Sequence, residues 1–227
     1  MSERQSLESL NDVLHIAGED TWRGGDYELA VELGERNDAR LQSAYEAVFA
    51  YKDWIGPLNR QGNSIIPDWS CWHSDPYFWP GFTGVAVLAD GRKLPASVGC
   101  VREGQDTPEE KQGTDWLKVG FPMGGINAVY PTAGGYPFAP ADRAKSPSKE
   151  WQITIEDYLA QLGIWIYSHV AYRLAVVAFE DMGQTRLASV VQNGGVPQDR
   201  WRGYLLPSGD QVRYYPSTVH EPLFTVG

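Results

Sequence analysis

The sequence predicts an α+β fold in which a mostly antiparallel sheet packs against two principal helices and is connected by long irregular loops. Two observations support this fold class. Several short segments alternate apolar and polar residues, as strands do, while two longer segments repeat apolar residues every three to four positions, as helices do. The chain of 227 residues also has 24 Gly and 15 Pro, which favours many short elements joined by turns. We expect one domain over residues 1–227, with a division into two subdomains left open at the loop 139–148.

The first predicted elements are a strand and a helix. Residues 27–33 alternate apolar and polar side chains, which is typical of a strand with one buried face. Asn37 and Asp38 are favourable helix N-caps, and apolar residues then recur at helical spacing over residues 41–49. We expect the Gly-Pro pair at 56–57 to end this helix.

A hairpin and an exposed loop are predicted next. Residues 83–88 and 93–101 have strand character, and the Asp-Gly pair within residues 89–92 is typical of the turn between two such strands. Pro95 has no amide hydrogen to donate, which predicts that the second strand lies at an edge of the sheet. Residues 102–115 are charged and have no apolar period, so we expect an exposed loop there.

The second half is predicted to contain the longer helix. A strand over residues 116–123 leads into an irregular connection, rich in Gly and Pro, over residues 124–137. Thr154 and Asp157 have the spacing of a capping box, and apolar residues continue at helical spacing over residues 155–170. We expect this helix to be central, because it is apolar on most sides.

The C-terminal third is predicted to return to strands. Residues 173–179 are open between a continuation of the helix and a strand, and their Val and Phe content favours the strand. A further strand is expected over residues 185–191. Residues 201–206 and 211–215 form a hairpin around the turn at 207–210.

The charge of the chain restricts its partners. The formal net charge is -10, and residues 1–60 hold twelve Asp and Glu against six Lys and Arg. Nucleic acids and anionic membranes attract basic surfaces, so neither is an expected partner. A basic protein is compatible with this charge.

The N-terminal residues and the cysteines indicate the compartment. Residues 1–8 lack a basic start followed by an apolar stretch, and no run of about 20 apolar residues could cross a bilayer. We therefore expect a cytoplasmic protein. Cys71 and Cys100 are too few for a disulfide framework, so we expect reduced, structural thiols.

The predicted binding surface combines aromatic and acidic residues. Residues 67–82 hold six aromatic residues in sixteen positions, interrupted by Pro and Asp. Aromatic side chains supply anchors for protein recognition, and the carboxylates of residues 102–115 would attract a cationic partner. The residues that we predict to contact this partner are Trp69, Trp72, Asp75, Tyr77, Trp79, Glu103, Asp106, Glu109 and Glu110.

No catalytic residue, metal or cofactor is predicted. Four potential ligands lie within residues 68–75, but their spacing matches no zinc motif, and no Gly-x-Ser-x-Gly elbow occurs. The glycine pairs at 124–125 and 134–135 lack the Lys-Ser/Thr ending of a phosphate-binding loop, and we interpret them as turn residues with positive φ. His169 is interpreted as a core residue bonded to a backbone carbonyl.

A different class of function also remains open. The side chains of Trp69, Trp72, Tyr77 and Trp79 would suit the flat faces of sugar rings. A carbohydrate-active enzyme or a sugar-binding module is therefore the first alternative to a protein-binding protein. The second is a metal-dependent enzyme centred on Cys71, His73 and the flanking aspartates.

Three segments resemble one type of protein in particular. Residues 22–29 (Trp-Arg-Gly-Gly-Asp-Tyr-Glu-Leu), 120–125 (Gly-Phe-Pro-Met-Gly-Gly) and 200–207 (Arg-Trp-Arg-Gly-Tyr-Leu-Leu-Pro) occur in a compact, acidic, Trp-rich chain without a catalytic motif. In this combination the chain resembles the immunity proteins of bacterial polymorphic-toxin and contact-delivered effector systems, such as type VI secretion. The resemblance implies a protein without a cofactor that binds one cognate toxin and covers its active site or substrate groove. It also makes a nuclease a reasonable toxin, because a groove built for phosphates is basic.

Overall fold

The chain forms one large antiparallel sheet, which confirms the predicted α+β class. The computed structural model describes residues 18–59, 61–69, 81–102, 113–133, 138–139, 150–180, 195–219 and 224–225. The sheet has eight strands, which are β1 (Asp26–Glu35), β2 (Trp54–Leu58), β3 (Phe82–Val87), β4 (Lys93–Arg102), β5 (Thr114–Pro122), β7 (Leu174–Phe179), β8 (Gly203–Ser208) and β9 (Gln211–Tyr215). Their order in the sheet is β2-β3-β4-β5-β1-β7-β8-β9, and every neighbouring pair is antiparallel. Two short segments, β6 (Phe138–Ala139) and β10 (Phe224–Thr225), pair in parallel as a separate sheet.

Three α-helices accompany the sheet. They are α1 (Asp38–Phe49), α2 (Met123–Val129) and α3 (Glu150–His169), and short 3₁₀ turns occur at Glu19–Trp22 and Pro131–Ala133. Within the described part of the chain, no helix combines the length and the apolar character that crossing a bilayer requires.

Helices α1 and α3 pack on one face of the sheet and form the main core with it. Four residues of α3 at helical spacing are fully buried there: Ile155, Leu159, Leu162 and Ile166. Burying one such side chain stabilises a fold by about 1.5–3 kcal/mol. The apolar stripe of α3 therefore fixes the helix against the sheet.

The strand β1 lies at the centre of the sheet, between β5 and β7. The prediction of a strand here is confirmed, but the prediction of a single buried face is wrong. Tyr27, Leu29 and Val31 belong to the helix-side core, while the alternate residues Glu28 and Glu32 are 0% and 6% exposed. In this sheet β1 is buried on both faces, so Glu28 and Glu32 are buried as well.

The two buried glutamates of β1 lie next to cations. Lys118 Nζ is 2.5 Å from Glu28 Oε2, and Arg173 Nη1 is 3.7 Å from Glu32 Oε1. Because successive side chains of a strand alternate, this charged row lies on the face opposite α1 and α3. The attraction to Lys118 and Arg173 offsets part of the cost of burying the two carboxylates.

Asp26 extends this row and gives a pH-dependent prediction. Burial raises the pKa of Asp26 above its ordinary value of 3.8, Lys118 opposes the rise and Glu180 adds to it. The folded protein therefore binds this proton more tightly than the unfolded chain does. The stability that depends on Asp26 is then lost as the pH rises from 3.8 through the raised pKa.

We expect Asp26→Asn to remove this loss. The free energy of unfolding of the variant, relative to the original chain, should increase between pH 4 and pH 7, as measured by urea unfolding at several pH values. The control is Asp199→Asn, at an exposed position. A difference between Asp26→Asn and the original chain that is constant with pH would contradict the prediction.

The start of α1 is confirmed, and its predicted end is wrong. Asn37 accepts a hydrogen bond from the Arg40 amide through its side chain, at 2.9 Å, as an N-cap does. The helix ends at Phe49, and the Gly-Pro pair at 56–57 lies inside β2.

The hairpin of β3 and β4 is confirmed, but β4 is not an edge strand. It lies between β3 and β5. Its ladder with β5 begins at Ser97, whereas Pro95 pairs with Val85 of β3. The proline therefore lies in the part of β4 that β5 does not reach, where no amide hydrogen is needed on that side.

The predicted irregular connection after β5 contains the helix α2. Gly124 and Gly125 are helical, not the positive-φ turn residues that we expected. A Cβ on Gly124 would lie 1.9 Å from the Asp20 carbonyl oxygen, and one on Gly125 would lie 2.5 Å from the Pro95 ring. These glycines are required because two other segments approach the helix closely.

The remaining predictions have mixed outcomes. The helix α3 begins at Glu150, so Thr154 lies within it and donates its hydroxyl to the Glu150 carbonyl rather than capping the helix. Residues 174–179 form β7, as favoured, and the final hairpin is confirmed as β8 and β9. The predicted strand at 185–191 and all but the first residue of the predicted boundary at 139–148 lie outside the described residues.

Candidate functional site

Most of the predicted contact residues lie outside the described part of the chain. These are Trp72, Asp75, Tyr77, Trp79, Glu103, Asp106, Glu109 and Glu110. The remaining one, Trp69, is half-buried, and its ring lies 5.7 Å from that of Tyr45 and 5.8 Å from that of Phe82. Trp69 therefore packs at the border of the core. Among the described residues, no group of three or more His, Cys, Asp or Glu side chains could hold a metal ion.

A groove of about 890 Å³ combines the two chemical features that the sequence predicts elsewhere. It lies where α3 faces the turn between α1 and β2 and the turn between β3 and β4. The residues that line it are Tyr51, Lys52, Asp53, Val87, Ala89, Asp90, Thr154, Asp157, Tyr158, Gln161, Ile164, Trp165 and Ser168. We call this the α3 groove.

Three aromatic residues form part of the α3 groove. The Tyr51 ring lies 5.7 Å from the Tyr158 ring in an edge-to-face arrangement and 6.0 Å from the Trp165 ring. Burial raises the pKa of both tyrosines, and the Asp53 carboxylate adds to the rise at each. Both hydroxyls therefore stay protonated at neutral pH.

The polar atoms of two of these rings are already bonded within the protein. Trp165 donates its indole N–H to the Ala47 carbonyl at 2.8 Å, and Tyr158 donates its hydroxyl to the Asp53 carbonyl at 3.0 Å. These bonds fix the rings in place. What Trp165 and Tyr158 offer to a ligand is therefore aromatic surface rather than hydrogen-bond donors.

The charge of the α3 groove is negative. Asp53, Asp90 and Asp157 line it with a single cation, Lys52. Lys52 is exposed, and its Nζ lies 3.7 Å from Asp53 Oδ2, so this pair is worth little. Among the described residues, the Asp157 carboxylate has neither a hydrogen bond nor an ion pair.

Asp90, the third carboxylate, is held at the end of the α3 groove by its neighbours. It accepts hydrogen bonds from the Tyr130 hydroxyl and from the Arg92 amide, both at 2.9 Å. The Arg92 guanidinium lies over the Tyr130 ring, 4.3 Å from its centroid. Burial and the hydrogen bond to Asp90 raise the pKa of Tyr130 to about 12.

Comparisons with family models, with curated proteins and with solved structures find no match to this chain. The resemblance to immunity proteins therefore stays a prediction.

His169 lies next to the groove, and its predicted position in the core is wrong. It is exposed at the end of α3, and its ring lies 4.3 Å from that of Trp165. Its Nδ1 is 2.9 Å from the Trp165 carbonyl oxygen, so the predicted bond to the backbone is present.

Helix α3 also carries a buried polar cluster on its core side. Glu156 accepts hydrogen bonds from the Tyr27 hydroxyl at 2.5 Å, from Gln152 Nε2 at 3.0 Å and from the Ser217 hydroxyl at 2.6 Å. All four residues are buried. The cluster joins β1, α3 and the segment after β9, and it has no access to a ligand in the described structure.

The sequence of α3 contains a pattern that indicates the α3 groove. The groove-lining residues of α3 recur three or four positions apart: Thr154, Asp157, Tyr158, Gln161, Ile164, Trp165 and Ser168. This is a second stripe along a helix whose other stripe is apolar and buried. A stripe that mixes aromatic and polar residues on such a helix indicates a surface rather than the core.

Proposed function

We propose that this protein is a non-enzymatic, cytoplasmic immunity protein that binds one basic protein toxin through the α3 groove and covers the active site or substrate groove of that toxin. The observation that carries the proposal is the joining of three aromatic rings and three carboxylates in one groove. Trp and Tyr are enriched among the residues that dominate protein recognition. Carboxylates beside them select a cationic partner.

The charge of the whole chain supports the same partner. A net charge of -10 attracts a basic macromolecule from a distance and raises the rate of encounter. The excess of carboxylates in the α3 groove then orients that partner at one place on the surface. A nuclease toxin has the required basic groove, since it binds phosphates.

The architecture of the α3 groove suits a high-affinity site. Tyr158 and Trp165 are held by hydrogen bonds to backbone carbonyls, and one wall is a helix of 20 residues. A site that is already ordered loses little conformational entropy when a partner binds. A stable complex buries about 800 Å² on each partner, so the groove would form the centre of a wider contact.

The proposal predicts the effect of removing two carboxylates. We expect the double substitution Asp53→Asn and Asp157→Asn to weaken binding of the toxin at least about tenfold, since each hydrogen bond to a charged group is worth about 1.5–3 kcal/mol. The toxin is first isolated by affinity purification from the native cell and identified by mass spectrometry. Its affinity for each purified variant is then measured by titration calorimetry.

A matched control makes this test specific to the α3 groove. The double substitution Asp199→Asn and Asp210→Asn removes the same charge from exposed positions that do not line the groove, and it should leave the affinity within about twofold. Cells that produce the toxin should survive with the original chain and die with the groove variant. Equal binding by both variants, or binding of a glycan instead of a protein, would refute the proposal.

A further inference from the structure

The aromatic and acidic residues of the α3 groove are arranged for one kind of partner group. Tyr51, Tyr158 and Trp165 contribute rings, and Asp53 and Asp157 contribute carboxylates that are not held by a strong ion pair among the described residues. An apolar side chain would bury these carboxylates without compensation, and an anion would be repelled. A cation interacts favourably with both the aromatic rings and the carboxylates.

The same fold already contains this arrangement with its cation in place. Next to the groove, the Arg92 guanidinium lies 4.3 Å from the centroid of the Tyr130 ring, and its Nε lies 3.6 Å from Asp90 Oδ2. Tyr130 and Asp90 are themselves joined by a hydrogen bond of 2.9 Å. The result is a set of three groups, a guanidinium, a tyrosine ring and a carboxylate.

The α3 groove repeats two of these three groups. Asp53 lines the groove together with Tyr51 and Tyr158. Its backbone carbonyl accepts the Tyr158 hydroxyl, and Lys52 approaches its carboxylate only loosely, at 3.7 Å. No arginine of the described chain lines this groove. The α3 groove therefore has the aromatic ring and the carboxylate, and a binding partner would supply the guanidinium.

We infer that the α3 groove binds an arginine side chain of the partner protein, with the guanidinium stacked on its rings and paired with Asp53 and Asp157. This inference rests on the proposed function and names the anchor residue of the toxin. Arginine fits better than lysine, because its planar guanidinium stacks on aromatic rings, pairs with two carboxylate oxygens and is weakly hydrated. A volume of about 890 Å³ leaves room for the residues that flank the arginine.

Short peptides test this inference without the toxin. The probe is acetyl-Gly-Arg-Gly-amide, and the comparison peptides replace Arg by Lys, by citrulline, which is neutral and nearly isosteric, or by norleucine. Binding is followed by ¹H–¹⁵N NMR through the indole N–H signal of Trp165, assigned with the variant Trp165→Phe. We expect a saturable shift for the Arg peptide with a Kd in the range of about 1–10 mM, as a single anchor residue allows.

The comparison peptides decide the chemistry of the anchor. Affinity should fall at least about threefold for the Lys peptide and about tenfold for citrulline or norleucine. The variant with Asp53→Asn and Asp157→Asn should lose the shift, while that with Asp199→Asn and Asp210→Asn should keep it. The inference is overturned if norleucine binds as well as arginine, if lysine binds equally well, or if the Arg peptide does not move the Trp165 signal.

Failure of the inference can be told apart from failure of the proposed function. If the peptides do not bind but the toxin still loses affinity when the groove carboxylates are replaced, the toxin uses the α3 groove with another anchor. If neither the toxin nor the Arg peptide responds to those substitutions, both the inference and the proposed function are wrong.

Discussion

Replacing Arg102 by alanine is expected to lower the free energy of unfolding by about 3–5 kcal/mol, because it leaves a buried carboxylate without its cation. The Arg102 side chain is 8% exposed, and its Nε lies 3.1 Å from Asp115 Oδ1, whose side chain is 1% exposed. Its Nη2 also lies 2.5 Å from Asp38 Oδ1 at the start of α1. The guanidinium therefore joins β4, β5 and the first turn of α1.

This substitution should also act locally on α1. Asp115 Oδ2 accepts a hydrogen bond from the Asn37 amide at 2.8 Å, so the N-terminus of the helix depends on the position of that carboxylate. Burial raises the pKa of Asp115, while the Asn37 amide and Arg102 lower it. Without Arg102 this pKa rises further, so the loss of stability should be smaller at pH 4 than at pH 7.

Urea unfolding at these two pH values measures the effect, and hydrogen exchange of the first turn of α1 locates it. The control is Arg92→Ala, since the Arg92 and Asp90 side chains are 51% and 38% exposed, and it should cost no more than about 1 kcal/mol. The prediction is wrong if both alanine variants lose the same stability.

Replacing Glu156 by alanine is expected to cost about 2–5 kcal/mol, because three buried donors lose the acceptor that Glu156 supplies, and of these Gln152 keeps a second bond to the Tyr27 hydroxyl. Those donors are the hydroxyls of Tyr27 and Ser217 and the amide of Gln152. The cluster they form is buried, and losing a hydrogen bond away from water destabilises a fold more than losing one on the surface. Thermal and urea unfolding measure this change.

The adjacent residue supplies the control for Glu156. Asp157 is exposed on the groove side of α3, so Asp157→Ala should change the free energy of unfolding by no more than about 0.5 kcal/mol. The conservative variant Glu156→Gln keeps one acceptor and should lose less than the alanine variant. A similar loss for the alanine variants of Glu156 and Asp157 would show that the cluster does not stabilise the fold.

Local patterns were enough to predict most of the elements. The alternation in β1, the N-cap at Asn37, the turn between β3 and β4 and the hairpin of β8 and β9 are all present. Each of these signals lies within a few residues of the element that it specifies. This is why the fold class could be predicted without any long-range contact.

The errors came from contacts between distant segments. Pro95 avoids a conflict in β4 because β5 stops pairing before it, and Gly124 is helical because the backbone at Asp20 comes close. The acidic residues of β1 looked solvent-facing, yet Lys118 and Arg173 accompany them in a buried row. A pattern of apolar residues in the sequence cannot show which distant cation will pair with a buried carboxylate.

The α3 groove was missed for the same reason. Its rings and carboxylates come from residues 51–53, 87–90 and 154–168, which only the folded chain brings together. The sequence did predict the combination of aromatic and acidic residues, but it placed that combination in two loops. Of the nine residues predicted there, only Trp69 lies within the described part of the chain.

The central position of β1 has a consequence for how the chain reaches its native state. Tyr27 pairs with Phe121 of β5 on one side and with Phe179 of β7 on the other. The first strand can therefore form its native pairs only after segments about 90 and 150 residues further along the chain have been synthesised. Topologies with such distant pairings fold slowly. Until β7 emerges, one side of β1 offers unpaired backbone groups, and a nascent chain in that state is exposed to aggregation and is a natural client for chaperones.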